Sequence, residues 1–107
     1  MQRYYISGPI TADTTDQVKA NLAKFNEAED AIRKRHGDGS IFNPARLEIP
    51  GGTWPLYMAR DTKWITENKP TIILLPGWET SRGANLEIFL GLLCGGAVIP
   101  IETFLHD

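Results

Sequence analysis

Short apolar runs alternate with longer stretches of helical period along this chain, and that alternation constrains the fold most. The clearest run, Ile72-Ile73-Leu74-Leu75, ends at the turn signal Pro76-Gly77. The pattern predicts strands at 4–7, 40–43, 71–75 and 97–99, and helices at 14–36, 53–68 and 82–94. Continuous apolar strands separated by helices are typical of a parallel sheet covered on both faces. We therefore expect an α/β fold: a three-layer parallel sheet of about four strands with helices on both faces, flavodoxin/Rossmann-like.

The first helix has signals at both ends. Thr14 with Gln17 three residues later is a plausible capping box, and Gly37-Asp38-Gly39 ends the helix. Between these ends the apolar side chains recur at helical period, so one face of the helix is expected to pack on the sheet.

Composition excludes several classes of function. The 107 residues predict one domain, 1–107, and a net charge of −2 argues against a nucleic-acid polymer as partner. The single Cys94 lies in an apolar run and predicts a buried thiol in a reducing compartment, and no His or Cys spacing indicates a metal site. No signal-peptide pattern is present, and the hydrophobic stretch 88–101 is too short to span a bilayer. We expect a cytoplasmic protein without membrane contact.

Ligands of such sheets bind outside the carboxyl ends of the strands. Three segments are expected to meet there: 7–10, 43–45 and 76–83.

One candidate acid lies on the third predicted helix. Gly83, Glu87 and Gly91 are four residues apart and therefore share a helix face. Glycines beside Glu87 leave room for a ligand to reach its carboxylate. The alternative is that Glu87 is a solvated surface residue and that the glycines serve close packing.

The second candidate acid is Asp61, at the centre of an otherwise apolar face of the second predicted helix. Its neighbours on that face are Trp54, Tyr57, Met58, Trp64, Ile65 and Asn68. A carboxylate there is either paired internally, for example with the 44–53 loop, or lines a cleft, because unpaired burial is expensive. A partly desolvated Asp61 has a raised pKa, which suits a proton donor near neutral pH.

Two carboxyls in different environments at one crevice are the pattern of a nucleophile plus an acid. Such a pair substitutes an anomeric carbon through a covalent intermediate. Ser81, Arg82 and the backbone N–H groups that start the third helix can hold a phosphate. The alternative for Ser81 is a plain helix cap.

Three further residues are candidates for ligand contact. Gly8 lets a ligand approach the end of the first strand, and Trp78 or Tyr5 can stack on a base. The alternatives are a hydrophobic lid for Trp78 and a core position for Tyr5.

These residues carry a resemblance to a known family over nearly the whole chain. The segments concerned are Tyr5-Ile6-Ser7-Gly8-Pro9-Ile10-Thr11, Phe42-Asn43-Pro44-Ala45, Tyr57-Met58-Ala59-Arg60-Asp61, and Leu74 to Glu87 with its Ser81-x-Gly83-x-x-x-Glu87 spacing. Together they resemble the small nucleoside 2-deoxyribosyltransferase-like proteins, many of them from phages and prophages. The chain is similar, more distantly, to the deoxyribosyltransferases and the deoxynucleoside 5′-monophosphate N-glycosidases.

The resemblance implies a role for each matching residue. Glu87 is implied to attack C1′ of a 2-deoxyribosyl group, and Asp61 to act on the leaving base. Ser81 and Gly83 match positions that hold a 5′-phosphate. The other substrate-binding residues expected on the same basis and from the crevice are Tyr5, Gly8, Pro9, Asn43, Trp78 and Arg82. The ligand is then a small nucleoside or nucleotide, no metal or other cofactor is required, and a homo-oligomer shares the active site.

Two departures from the family pattern keep other functions open. Asn68-Lys69-Pro70 stands where relatives often carry an acid, and the chain ends at Asp107, shortly after its fourth predicted strand, without a C-terminal segment that larger relatives use. The second hypothesis is a non-catalytic module that binds or sequesters a nucleotide. The third is an interaction protein that uses only the scaffold.

Overall fold

The order of strands and helices confirms the predicted α/β alternation. The computed structural model describes residues 2–37 and 39–106. Its strands are β1 (Arg3–Ser7), β2 (Ser40–Phe42), β3 (Thr71–Leu74) and β4 (Val98–Pro100), and its helices are α1 (Thr15–His36), α2 (Trp54–Asn68), α3 (Arg82–Leu93) and α4 (Ile101–His106). Short 3-10 turns at Pro44–Arg46 and Trp78–Thr80 follow β2 and β3.

The four strands form one parallel sheet in the order β2-β1-β3-β4. The chain moves from β1 to β2 in one direction across the sheet, and from β2 through β3 to β4 in the other. Because parallel crossovers are right-handed, α1 lies on one face of the sheet and α2 with α3 on the other. The order reverses between β1 and β3, and their carboxyl ends therefore flank the crevice where such sheets bind ligands.

Alternate residues of β1 serve the two faces of the sheet. Tyr4 and Ile6 join the hydrophobic core under α1, while Tyr5 joins the core under α2 and α3. Both cores combine side chains of the central strands with side chains of the covering helices: Phe25 and Ile32 from α1 on one face, and Ile65 from α2 on the other. The sheet is therefore covered on both faces, and the three-layer arrangement is confirmed.

The loop after β1 is attached to α1 by the side chains at the start of that helix. Thr14 Oγ1 accepts the N–H of Gln17 at 3.1 Å, as expected of a cap. Gln17 does not reach back to complete a capping box: its amide donates to Asn21, and Asn21 donates to the carbonyl of Ile10. The predicted stop at Gly37 is confirmed, whereas Asp38 lies outside the described residues.

The segment after β4 was not predicted to be helical. Ile101–His106 forms α4, which packs against the α1 layer: the ring of Phe104 stacks on His36 at 4.1 Å and meets Tyr4 edge-on at 5.2 Å. Six residues carry too little periodicity to reveal a helix from sequence. The terminal Asp107 lies outside the described residues.

The hydrophobic stretch 88–101 is divided among α3, β4 and the start of α4. Within residues 2–37 and 39–106, no helix has the length and hydropathy needed to span a bilayer. Cys94 follows α3 and is half-buried, so the expectation of a buried thiol is wrong.

Candidate active site

Two side chains of β1 donate hydrogen bonds to the carboxylate of Glu87. The hydroxyl of Tyr5 donates to Oε2 at 2.6 Å, and the hydroxyl of Ser7 donates to Oε1 at 2.7 Å. Both side chains point to the same face of the sheet because they are two residues apart on a strand. Glu87 is 5% exposed, and Tyr5 and Ser7 are fully buried. The strand end thus fixes both oxygens of the acid.

Burial dominates the ionisation of Glu87. Removal from water raises the pKa of Glu87 to about 8, with a further rise from nearby Asp61, although the hydrogen bonds from Tyr5 and Ser7 oppose the change. The pKa of Tyr5 is also raised, by its own burial and then by the neighbouring acids. Tyr5 therefore stays protonated and remains a hydrogen-bond donor to Glu87.

Asp61 supplies the second carboxyl from α2, on the same side of the sheet. It is 6% exposed, and among the described residues its Oδ1 atom has no hydrogen-bond partner. Burial raises the pKa of Asp61 to about 6. An unpaired buried oxygen is costly, so it indicates a site that a ligand or water completes.

Glu87 and Asp61 both line one large cavity at the carboxyl ends of β1 and β3. Its volume is about 790 Å³, within the range of small-molecule sites. The walls come from the loops after β1 and β2, one face of α1, and the first turns of α2 and α3. The lining residues other than the two acids are Gly8, Pro9, Ile10, Thr11, Leu22, Phe25, Pro44, Ala45, Leu47, Glu48, Gly52, Trp54, Tyr57, Met58, Thr80, Ser81, Arg82, Gly83 and Ala84.

Helix α3 begins at this cavity. Ser81 caps it, with Oγ accepting the N–H of Ala84 at 3.1 Å, so the capping alternative is confirmed. The Ser81 hydroxyl keeps its own proton to donate, and Ser81 also lines the cavity. The guanidinium of Arg82 lies over the ring of Trp54, 5.1 Å from its centroid, and joins the starts of α3 and α2.

The two glycines beside Glu87 have different neighbours. A Cβ on Gly83 would lie 3.3 Å from Met58 Sδ, at the cavity wall. A Cβ on Gly91 would overlap the side chain of Ile72 in β3. Gly83 therefore keeps space beside the acid, whereas Gly91 lets α3 approach the sheet, so the expectation that both leave room for a ligand is wrong for Gly91.

Gly8 and Pro9 line the cavity, as predicted for the end of β1. Gly8 also serves packing: a Cβ there would lie 2.8 Å from Leu75 Cβ. Tyr5 lies behind Glu87 in the core under α2 and α3 and does not line the cavity. Its ring is fully buried and stacks on Phe42 at 5.2 Å, so a base cannot reach it, and the core alternative holds.

Asn43 does not line the cavity, contrary to expectation. Its amide donates to the carbonyl of Phe25 and to the side chains of Asn26 and Glu29, and its Oδ1 accepts the N–H of Ala45. Glu29 also accepts Arg46 Nε at 2.8 Å. Burial alone would raise the pKa of Glu29, but the hydrogen bonds from Arg46, Asn43 and Arg33 lower it. Asn43 thus anchors the loop that walls the cavity.

Trp78 also lies outside the cavity. The positive φ of Gly77 (90°) turns the chain after β3, and Trp78 then packs on the core that contains Leu74. The side chain consequently lines a separate cavity of about 280 Å³. Trp78 therefore covers that core, in keeping with the hydrophobic-lid alternative, and it is not placed to stack on a base in the cavity that contains Glu87.

Several lining or positioning residues were not among the predicted site residues. Ser7 was detectable, because period-two alternation places it on the same face as Tyr5. Trp54, Tyr57 and Met58 share a helix face with Asp61, and this shared face was the signal for them. Glu48 and Thr11 lie on loops, for which no periodicity exists. Within the described ranges, no group of three or more His, Cys, Asp or Glu residues is arranged to hold a metal ion.

Comparison with known proteins identifies a family but no activity. No curated protein matches this sequence. The profile of the family described as Domain of unknown function (DUF4406) matches residues 2–99, which is nearly the whole chain. The chain therefore belongs to the DUF4406 family.

Proposed function

We propose that this protein cleaves or exchanges the N-glycosidic bond of a 2′-deoxynucleoside or its 5′-monophosphate, as its resemblance to the nucleoside 2-deoxyribosyltransferase-like proteins implies. The observation that carries the proposal is the Glu87 carboxylate, oriented by Tyr5 and Ser7 on the floor of a cavity that is also lined by a second buried acid, Asp61. A positioned carboxylate next to a second carboxyl of different pKa is suited to substitution at an anomeric carbon.

The proposed reaction has two steps. In the first, a Glu87 oxygen bonds to C1′ while the C1′–N bond breaks, and the Asp61 carboxyl gives its proton to the leaving base. In the second, a water or another base bonds to C1′, the ester to Glu87 breaks, and Asp61 takes back a proton from the attacking molecule. Water yields hydrolysis and a base yields transfer.

The reactive form needs Glu87 ionised and a proton on Asp61. Of the two acids, Glu87 holds a proton better, because the pKa of Glu87 is raised to about 8 and that of Asp61 to about 6. Positive charge that develops at C1′ favours the ionised form of Glu87. The donors Tyr5 and Ser7 stabilise the same form.

The first experiment is a chromatographic assay for free base with a panel of 2′-deoxynucleosides and their 5′-monophosphates. We expect wild-type protein to release base, and Glu87→Gln to reduce the rate by about a hundredfold or more, since an amide is no nucleophile. The control is Glu79→Gln, an exposed acid that does not line the cavity. Mass spectrometry after acid quenching should find a deoxyribosyl ester on the peptide that contains Glu87. Full activity of Glu87→Gln would overturn the assignment.

The second candidate is a module that binds a nucleotide without turnover. The high pKa of Glu87 favours it, because a protonated carboxyl is a ligand contact rather than a nucleophile. The Asn68-Lys69-Pro70 segment favours it as well. Asn68 is the last residue of α2, and its amide donates to the carbonyl of Trp64 within that helix. A nucleotide that raises the melting temperature of both wild type and Glu87→Gln, with no base released by either, would establish this function.

The same resemblance implies a homo-oligomer with a shared active site, and α3 offers a surface for it. Its outer side carries the exposed apolar side chains Leu86, Phe89, Leu92 and Leu93. This surface, the α3 apolar face, belongs to the helix that also presents Arg82 and Glu87 to the cavity. A second copy seated on it lies next to the cavity, in keeping with a site completed by its neighbour.

A further inference from the structure

Acidic side chains outnumber basic ones around the cavity. Among its described lining residues, three are carboxylic acids (Glu48, Asp61 and Glu87) and one is a cation, Arg82. Asp61 and Glu87 are buried, whereas Glu48 and Arg82 are exposed. A ligand with negative charge therefore finds a single favourable position and, at the exposed carboxylate of Glu48, an unfavourable one.

The favourable position is at Arg82. Within the described part of the chain, no carboxylate lies within 4.0 Å of its guanidinium, which instead rests over the Trp54 ring at 5.1 Å. Trp54 restricts the guanidinium without neutralising it. The Ser81 hydroxyl is next to it in sequence and lines the same cavity. This arrangement offers donors for one anionic group.

The floor of the cavity orients a ligand of this kind. Asp61 and Glu87 are neighbours on this floor, and carboxyl groups favour hydrogen-bond donors over anions. An anionic end therefore stays at the exposed rim with Arg82, while a neutral, donor-bearing end enters.

Glu48 lines the cavity at this rim, and residues on either side of it in the sequence make anchoring contacts. Before it, Arg46 is paired with Glu29 at 2.8 Å, and after it the N–H of Ile49 donates to the hydroxyl of Tyr57 at 3.3 Å. Both contacts anchor the loop between β2 and α2. The backbone of Glu48 is consequently anchored at the cavity, and its exposed side chain is part of the cavity lining.

We propose that Glu48 determines specificity by limiting the ligand to one phosphate group. The inference rests on the proposed function for the nucleotide class of the ligand, but not on turnover. The first phosphate is compensated by Arg82. Each further phosphate adds negative charge at the rim. The lining residues that the structure describes include no second cation there, and the Glu48 carboxylate repels the added charge.

The test compares the binding of a 2′-deoxynucleoside 5′-monophosphate with that of the corresponding 5′-triphosphate. Affinities for all four bases are measured by calorimetry at fixed low ionic strength without divalent cations, in the Glu87→Gln background, which removes turnover. We expect the monophosphate to bind more tightly. Adding Glu48→Gln should lower the triphosphate-to-monophosphate ratio of Kd by about three- to tenfold, the effect of removing one partly screened charge.

Glu27→Gln is the matched control. It removes the same charge from an exposed position on α1 outside the cavity, and should leave the ratio unchanged. Glu48→Lys should lower the ratio further than Glu48→Gln. The proposal is overturned if Glu48→Gln leaves the ratio unchanged, if the triphosphate binds as tightly as the monophosphate before that change, or if no nucleotide binds. A changed ratio together with no base release by wild type would overturn the proposed function alone.

Discussion

At the scale of single residues, Glu87 is under two opposing influences. Burial favours its neutral form, whereas the hydroxyls of Tyr5 and Ser7 are placed to stabilise its charged form. Such a conflict is typical of functional sites, because groups whose pKa values are shifted by several units cluster there. The conflict also has a consequence for the stability of the empty protein.

Stability should fall as pH rises through the range in which the folded protein keeps a proton that the unfolded chain has lost. For Glu87 this range runs from its ordinary pKa of 4.5 to about 8. Stability is therefore greatest below the lower value and is lost as pH approaches the upper one. We expect the free energy of unfolding to be roughly 2–4 kcal/mol lower at pH 8 than at pH 5. Urea unfolding at a series of pH values measures it.

Glu87→Gln should remove most of this dependence above pH 6 and stabilise the empty protein at pH 8. Asp61 acts in the same direction but only up to about pH 6, where its own pKa lies. Glu79→Gln, at an exposed position, is the control and should leave the slope unchanged. A Glu87→Gln protein with the wild-type slope would show that Glu87 does not carry the effect.

At the scale of elements, α3 combines packing and ligand access along one face. Gly91 places the helix against Ile72 of β3, Glu87 meets the end of β1, and Gly83 lies beside Met58 at the cavity wall. One helix face thus changes from a packed contact to an open one within about two turns. The two glycines therefore allow a paired test.

Gly91→Ala should lower stability by about 1–3 kcal/mol, since the new methyl overlaps a buried side chain in a well-packed layer. Gly83→Ala should change stability by less than about 1 kcal/mol, because alanine favours the helix and the Met58 side chain is flexible. The same change narrows the cavity next to Glu87, so it should weaken nucleotide binding. Urea unfolding and calorimetry check the two effects. Equal stability losses in both variants would contradict the distinction.

At the scale of the whole molecule, the apolar surface is unevenly distributed. On the α3 apolar face, Phe89 is 55% and Leu93 is 73% exposed, and Leu86 lies on the same side. Large contiguous apolar patches on a protein surface mark interaction sites. The proposed second copy would bury this face next to the cavity.

We expect a homodimer at micromolar concentration, measured by analytical ultracentrifugation or by light scattering with size-exclusion chromatography. Phe89→Asp or Leu93→Asp should yield a folded monomer, because a charge in the contact is left without water or a partner. Leu56→Asp, at a comparably exposed apolar position on α2, is the control and should leave the dimer intact. A wild-type protein that is still monomeric at about 0.1 mM, roughly a hundredfold above a micromolar concentration, would contradict the expectation.

Much of the fold and part of the site were predictable because they depend on local periodicity. The apolar run at 72–75 and the helical stripe on α1 give the α/β alternation, and spacing puts Asp61 on the covered face of α2. The same alternation along β1 turns Tyr5 and Ser7 toward one layer. The backbone repeat of a helix or strand decides which side chains share a face. Residues close together in the sequence largely decide which repeat forms.

Other features needed the tertiary structure. The strand order, the helix α4 and the direction of the Trp78 side chain all follow from contacts between distant parts of the chain. Asn43 anchors a loop because α1 happens to present Glu29 to it, and Gly91 is a packing glycine because Ile72 lies opposite. By itself, then, the sequence determined which residues share a face. Which faces meet, and whether a polar side chain there binds a ligand or a loop, only long-range packing decided, because the partners are far apart in sequence.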